Sequence, residues 1–164
     1  MIHYQPFLLA TFVFATVFAG AARTVIAGPL DFEYRQASDL FSQHQYKKVL
    51  PLIDSIIELS PNNANAHALR GRALLELEKP QEAIIDLKQA LTLEAKLVRA
   101  RTALARCDYE MGKYDDAIRE MTTVLEQDEP VDDKCYHLCT RASYFEKIGK
   151  YNEALADANK VTPT

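Results

Sequence analysis

The segment Cys135-Tyr136-His137-Leu138-Cys139 concentrates metal-ligating residue types, so a soft-metal site is the first chemistry to weigh. On a helix, thiols four residues apart share a face. His137 lies between them and points away, so the three groups do not converge on a tetrahedral ion. Parallel Cβ vectors make a Cys135–Cys139 disulfide geometrically poor, and three cysteines form no disulfide framework. With Cys107 they read as small buried or groove-facing thiols. The acidic residues Glu126, Asp128, Glu129, Asp132 and Asp133 supply hard oxygens, but no glycine-containing calcium loop of the right spacing accompanies them. They read as a solvated turn. No Gly-rich phosphate loop, H-E-x-x-H or G-x-S-x-G occurs. The sequence therefore predicts no catalysis, no cofactor and no metal.

Arginine offers a different chemistry. Arg72 and Arg106 stand 34 residues apart at equivalent places in the chain, and a guanidinium presents a bidentate fork for carboxylates. Each also has a glutamate four residues on, Glu76 and Glu110, so ordinary ion pairs along one helix surface are the competing use of the same charges.

The 34-residue spacing extends to the elements that carry these side chains. Ala37, Gly71, Ala105 and Ala142 are each followed twelve positions later by Val49, Ala83, Ala117 and Ala154. Internal periodicity of this length marks stacked supersecondary units, each stable only against its neighbours. The pattern is helical throughout. It predicts helix pairs at 31–44 and 46–59, 65–77 and 80–93, 96–111 and 114–127, and 133–148 and 151–161. Pro80 falls where a first turn tolerates it, and Pro61 where a helix must stop. Ile53, Ile56 and Ile57 are answered by Leu87, Ala90 and Leu91, then by Met121, Val124 and Leu125, the stripe of a helix packing on neighbours.

The skeleton Gly71, Leu74, Ala83, Leu87 and Ala90, repeated by Ala105, Ala117, Met121 and Val124 and again around Gly149-Lys150-Tyr151-Asn152-Glu153-Ala154, resembles the tetratricopeptide repeat. The resemblance runs from about Leu30 to the C-terminus. It implies an all-α, right-handed α-solenoid of about 3.5 to 4 helix-turn-helix units, at about 30–63, 64–97, 98–133 and 134–164. There are departures. Glu33, His67, Arg101 and Leu138 replace an aromatic near the start of the first helix of each unit, and an insertion containing Pro130 lengthens the third spacing from 34 to 37.

The resemblance implies a concave face lined by the first helices. By register that face carries Tyr34 and Ser38, then Asn65, Ala68 and Arg72, then Arg99, Thr102, Arg106 and Tyr109, then Tyr136, Cys139 and Ser143. Asn65, Arg72, Arg99, Arg106, Tyr109 and Tyr136 form the expected peptide-binding set, suited to an acidic or C-terminal segment. Tyr34 and Ser38 stand where the family's chaperone-tail clamp needs Lys and Asn, which argues against that type of receptor.

Composition sets the remaining bounds. Of 164 residues, 48% are hydrophobic and 26% charged, ordinary for a globular domain, and a net charge of −4 argues against a nucleic-acid partner. No small-molecule substrate is indicated. Residues 1–27 read as a secretory signal, with an apolar run at 7–22 and small-x-small cleavage patterns at Ala19-Gly20-Ala21 and Val25-Ile26-Ala27. That predicts an extracytoplasmic protein, periplasmic or lumenal, whose mature chain begins between Ala22 and Gly28. The n-region has no Lys or Arg, and an uncleaved anchor at 7–22 or an apolar capping helix are the alternatives. The face Leu155, Ala158 and Val161 has no following helix to cover it, so a longer natural chain, a partner or self-association is expected there. The functional expectation is a non-catalytic interaction scaffold or co-chaperone-like adaptor. The alternatives are the N-terminal part of a lumenal co-chaperone that joins repeats to a J domain, or a membrane-anchored assembly factor.

Overall fold

The computed structural model describes residues 29–127 and 131–161, and among these the chain forms eight helices and no strand. They are α1 Pro29–Ser42, α2 Tyr46–Leu59, α3 Ala64–Glu76, α4 Pro80–Leu93, α5 Val98–Glu110, α6 Tyr114–Leu125, α7 Val131–Lys147 and α8 Tyr151–Val161. The leader and Asp128, Glu129 and Pro130 of the insertion lie outside the described residues. No described helix is long and apolar enough to cross a membrane.

Each helix packs on the next, and α3 also meets α5 and α1, which is how stacked helix pairs build a solenoid. The expected small residues sit at these contacts: Ala37, Val49, Ala83, Ala105 and Ala117 are fully buried. Gly71 shows the reason most directly. A Cβ there would fall 2.7 Å from Leu87 Cγ, inside van der Waals contact, so α3 and α4 approach as closely as they do only without a side chain. The core continues between units. Val49, Ile53 and Ile56 of α2 join Ala66, Leu69 and Ala73 of α3, while Ala83, Leu87 and Ala90 of α4 join Ala100, Leu104 and Cys107 of α5.

The turn inside every helix pair closes alike. His44, Glu78, Gly112 and Gly149 all have positive φ, at 59°, 59°, 75° and 75°. The next amides, of Gln45, Lys79, Lys113 and Lys150, donate to the carbonyls of Leu40, Leu74, Asp108 and Phe145 at 2.8–3.0 Å. This is the Schellman closure. Its left-handed residue ends α1 before His44, two residues short of the helix end that apolar spacing predicts. α5 starts at Val98 rather than 96 because Leu97 and Glu94 form a turn.

At or three residues after the positions where the aromatic is missing, an arginine ties the helices together in the second, third and fourth units. In the second unit Arg70 grips Asp86 with two bonds, Nε to Oδ2 at 2.7 Å and Nη2 to Oδ1 at 2.6 Å, and reaches Asp54 at 2.9 Å. His67 lies against the same Asp86 at 3.1 Å and against the Pro61 carbonyl at 2.9 Å. In the third unit Arg101 donates to Glu120 at 2.7 Å and to the Ala95 carbonyl at 2.9 Å. In the fourth, Arg141 repeats the fork on Asp157 at 2.7 and 2.8 Å and adds Thr122 of the preceding unit. Asp86 and Asp157 are buried, and a buried carboxylate is tolerated only when bonded in this way. These struts tie the two helices of a pair together and, through Asp54 and Thr122, reach the preceding unit.

Candidate functional site

Helix register sends α3 and α5 side chains at 34-residue intervals to the same face, and α1, α3, α5 and α7 meet there around an open cleft of about 230 Å³. Its charged lining is Arg72, Arg99, Arg106 and Glu76. Phe41, Leu75 and Ala103 supply apolar wall, and Tyr136 and His137 close the α7 side. Four of the six expected binding residues, Arg72, Arg99, Arg106 and Tyr136, are thus brought together.

The other two are not. Asn65 is half-buried and does not line the cleft. Tyr109 is half-buried against the core between the third and fourth units, where its ring stacks on Tyr144 at 4.6 Å and meets Tyr114 edge-on at 5.3 Å. Tyr109 does not line the cleft. Phe41, Leu75 and His137 were not anticipated as lining. Phe41 is seven residues after Tyr34, on the same face of α1, and that spacing is the signal that finds it.

The arginines differ in their surroundings. Arg106 donates from Nη1 to Glu76 Oε1 at 2.6 Å and from Nε to Glu110 Oε1 at 3.0 Å, and the Glu76 bond above all raises its pKa. The expected Arg106–Glu110 pair therefore forms, and the expected Arg72–Glu76 pair does not. Arg72 lies with its guanidinium carbon 4.4 Å from the centre of the Phe41 ring, a cation–π arrangement. No carboxylate among the described residues hydrogen-bonds it. Burial, followed by repulsion from Arg99, lowers its pKa. Arg99 is exposed and likewise makes no ion pair among the described residues. Two guanidiniums thus share a cleft whose one lining acid, Glu76, is hydrogen-bonded to Arg106 instead, a setting that favours an arriving anion.

The thiols hold no such arrangement. Cys107 is fully buried, and desolvation pushes its thiol up to about 12. Cys135 is half-buried and Cys139 exposed. Among the described residues no group of three His, Cys, Asp or Glu side chains is placed to hold a metal.

Two sequence models described as tetratricopeptide repeat match the chain, one over residues 34–97 and one over 74–141. The chain belongs to the tetratricopeptide-repeat family. Among its relatives is the DnaJ homolog subfamily C member 3 of Gallus gallus, 26% identical over 141 residues that make up 80% of this chain and 28% of that protein. The chain therefore spans between a quarter and a third of the length of this relative. In three dimensions it is similar to MamA, with a TM-score of 0.73, 18% identity and coverage of 81% of this chain and 76% of that one. It is also similar to the second TPR of Spaghetti (RPAP3) bound to the HSP90 peptide SRMEEVD, with a TM-score of 0.57, 24% identity and coverage of 60% and 92%. At these identities the structural likeness concerns the tetratricopeptide fold.

Proposed function

We propose that this tetratricopeptide array is a non-catalytic, co-chaperone-like adaptor that holds an acidic protein segment in the cleft of α1, α3, α5 and α7. The observation that carries the reading is the pair Arg72 and Arg99, two cations without an acid partner beside the apolar wall of Phe41 and Leu75. A guanidinium held over a ring keeps its fork oriented and loses little freedom on binding a carboxylate. Similarity to part of a DnaJ homolog, and to a TPR solved with a bound peptide, supports the adaptor class. The chaperone-tail clamp is not part of the proposal, because Tyr34 and Ser38 do not carry its chemistry.

The test is titration with a fluorescein-labelled octapeptide of alternating leucine and glutamate bearing a free C-terminal carboxylate. Binding should weaken with salt. Arg72→Ala with Arg99→Ala should weaken it further, by about 2–4 kcal/mol for two lost charge-assisted contacts, with helix content unchanged. Wild-type affinity in the double variant would sink the reading. Two further elements belong to the proposal. Export is supported by the leader's apolar run, and mass spectrometry should find a mature N-terminus between Ala22 and Gly28. Self-association through α8 is supported by Leu155, which is 60% exposed, and by exposed Ala158, and sedimentation should detect it.

A further inference from the structure

Arg72 and Arg106 occupy the same register of successive units, each with a glutamate one turn on, so an isolated pair of helices would form the same ion pair twice. The structure breaks that equivalence. Arg106 takes both glutamates, its own Glu110 at 3.0 Å and Glu76 of the preceding unit at 2.6 Å. Glu76 is four residues from Arg72 on α3 and exerts an attraction on it, but its carboxylate is engaged across the unit boundary. We infer that Arg106 is a positioning residue rather than a ligand contact: by sequestering Glu76 it leaves Arg72 free to receive the incoming acid.

The inference rests on the groove reading above and assigns roles within it. A carboxylate tethered on the same helix competes with any ligand carboxylate for the same fork, since an i,i+4 partner is always within reach. Removing Arg106 releases that competitor. Removing Glu76 as well deletes it. A direct ligand contact by Arg106 predicts a double variant that stays weak, because loss of Glu76 restores the net charge of the cleft but not the hydrogen-bonding fork that Arg106 supplied.

The experiment compares wild type, Arg72→Ala, Arg106→Ala, Glu76→Gln and Arg106→Ala/Glu76→Gln with the same leucine–glutamate octapeptide, after circular dichroism has verified the fold. Arg106→Ala should weaken binding about tenfold, the scale of one charge-assisted contact. The double variant should return to within about threefold of wild type, and Glu76→Gln alone should bind at least as well as wild type. Side-chain nitrogen NMR without peptide gives an independent reading. The Arg72 Nε–H should move to a hydrogen-bonded position in Arg106→Ala and return in the double variant. A double variant as weak as Arg106→Ala, or an Arg72 resonance unmoved by Arg106→Ala, overturns the inference. If Arg72→Ala binds like wild type, the groove reading itself fails, and the NMR comparison still decides whether Glu76 is sequestered.

Discussion

Arg70 and Arg72 leave α3 two residues apart, which on a helix turns them about 200° from one another, and they meet opposite surroundings. Arg70 faces α4 and α2, where Asp86 and Asp54 hold it, and its pKa is raised chiefly by the Asp86 bond. Arg72 faces the cleft, where Phe41 lies under it, Arg99 repels it and Glu76 is engaged elsewhere. One residue type on one helix is a strut on one side and an unneutralised charge on the other. The fourth unit repeats the strut as Arg141 on Asp157 and has Ser143 where the groove arginine would stand. Strut and groove charge are therefore separable, and a charge held by a buried carboxylate serves the fold, whereas one left without a hydrogen-bonded carboxylate is available to a ligand.

The largest effect should come from breaking a strut. Asp86→Ala removes the acid shared by Arg70 and His67, leaving Arg70 only the exposed Asp54 and His67 only the Pro61 carbonyl. A loss of about 3 kcal/mol is expected, a fall in Tm of roughly 6–12 °C. Calorimetry checks it, and a change under about 1 kcal/mol would mean that the strut contributes little.

Acid tests the second strut. Burial alone would push Asp157 up, but the bond from Arg141, aided by Lys160, outweighs it and leaves the carboxyl below its ordinary value of 3.8. The folded pKa lies below the unfolded one, so the stabilisation is complete above that ordinary value and is lost as pH falls through the folded one. Amide exchange in α8 should accelerate first in that window. An Asp157→Asn variant should start weaker and show a flatter acid response, and identical profiles for the two proteins would remove Asp157 from the account.

The smallest stability effect belongs to the groove. Arg72→Ala loses one cation–π contact, about 0.5–1 kcal/mol, offset in part by relief of its repulsion with Arg99. Its Tm should lie within about 3 °C of wild type, while octapeptide binding drops. A loss comparable to that of Asp86→Ala would mean that Arg72 is a strut as well, and the comparison would collapse.

How far the site was legible follows from the same distinction. Ala37, Gly71 and Ala105 with Val49, Ala83 and Ala117 were readable as contact points because each answers a local, periodic demand for close helix approach, met again every unit. Arg72, Arg99, Arg106 and Tyr136 reached the cleft because register alone fixes the face of a helix. Tyr109 shares that register and nonetheless stacks on Tyr144 outside the cleft, since that contact depends on where α7 lands after an insertion of three residues. The struts were visible at most as departures, Arg101 at a missing aromatic and Arg70 and Arg141 three residues after His67 and Leu138. Their partners lie 16 or 19 residues away on the next helix, and no local pattern announces that distance.

The sequence by itself determined the helices, their pairing and the family, because hydrophobic period, small-residue spacing and turn chemistry act within a few tens of residues. Only the tertiary structure decided which charges neutralise one another. The choice between Glu76 serving Arg72 one turn away and serving Arg106 in the next unit is made by the packing of α5 on α3, which brings Arg106 Nη1 to 2.6 Å from Glu76. Two arginines of identical local context thereby acquire different surroundings, since the energy of an ion pair depends on distance and burial in space and not on separation along the chain.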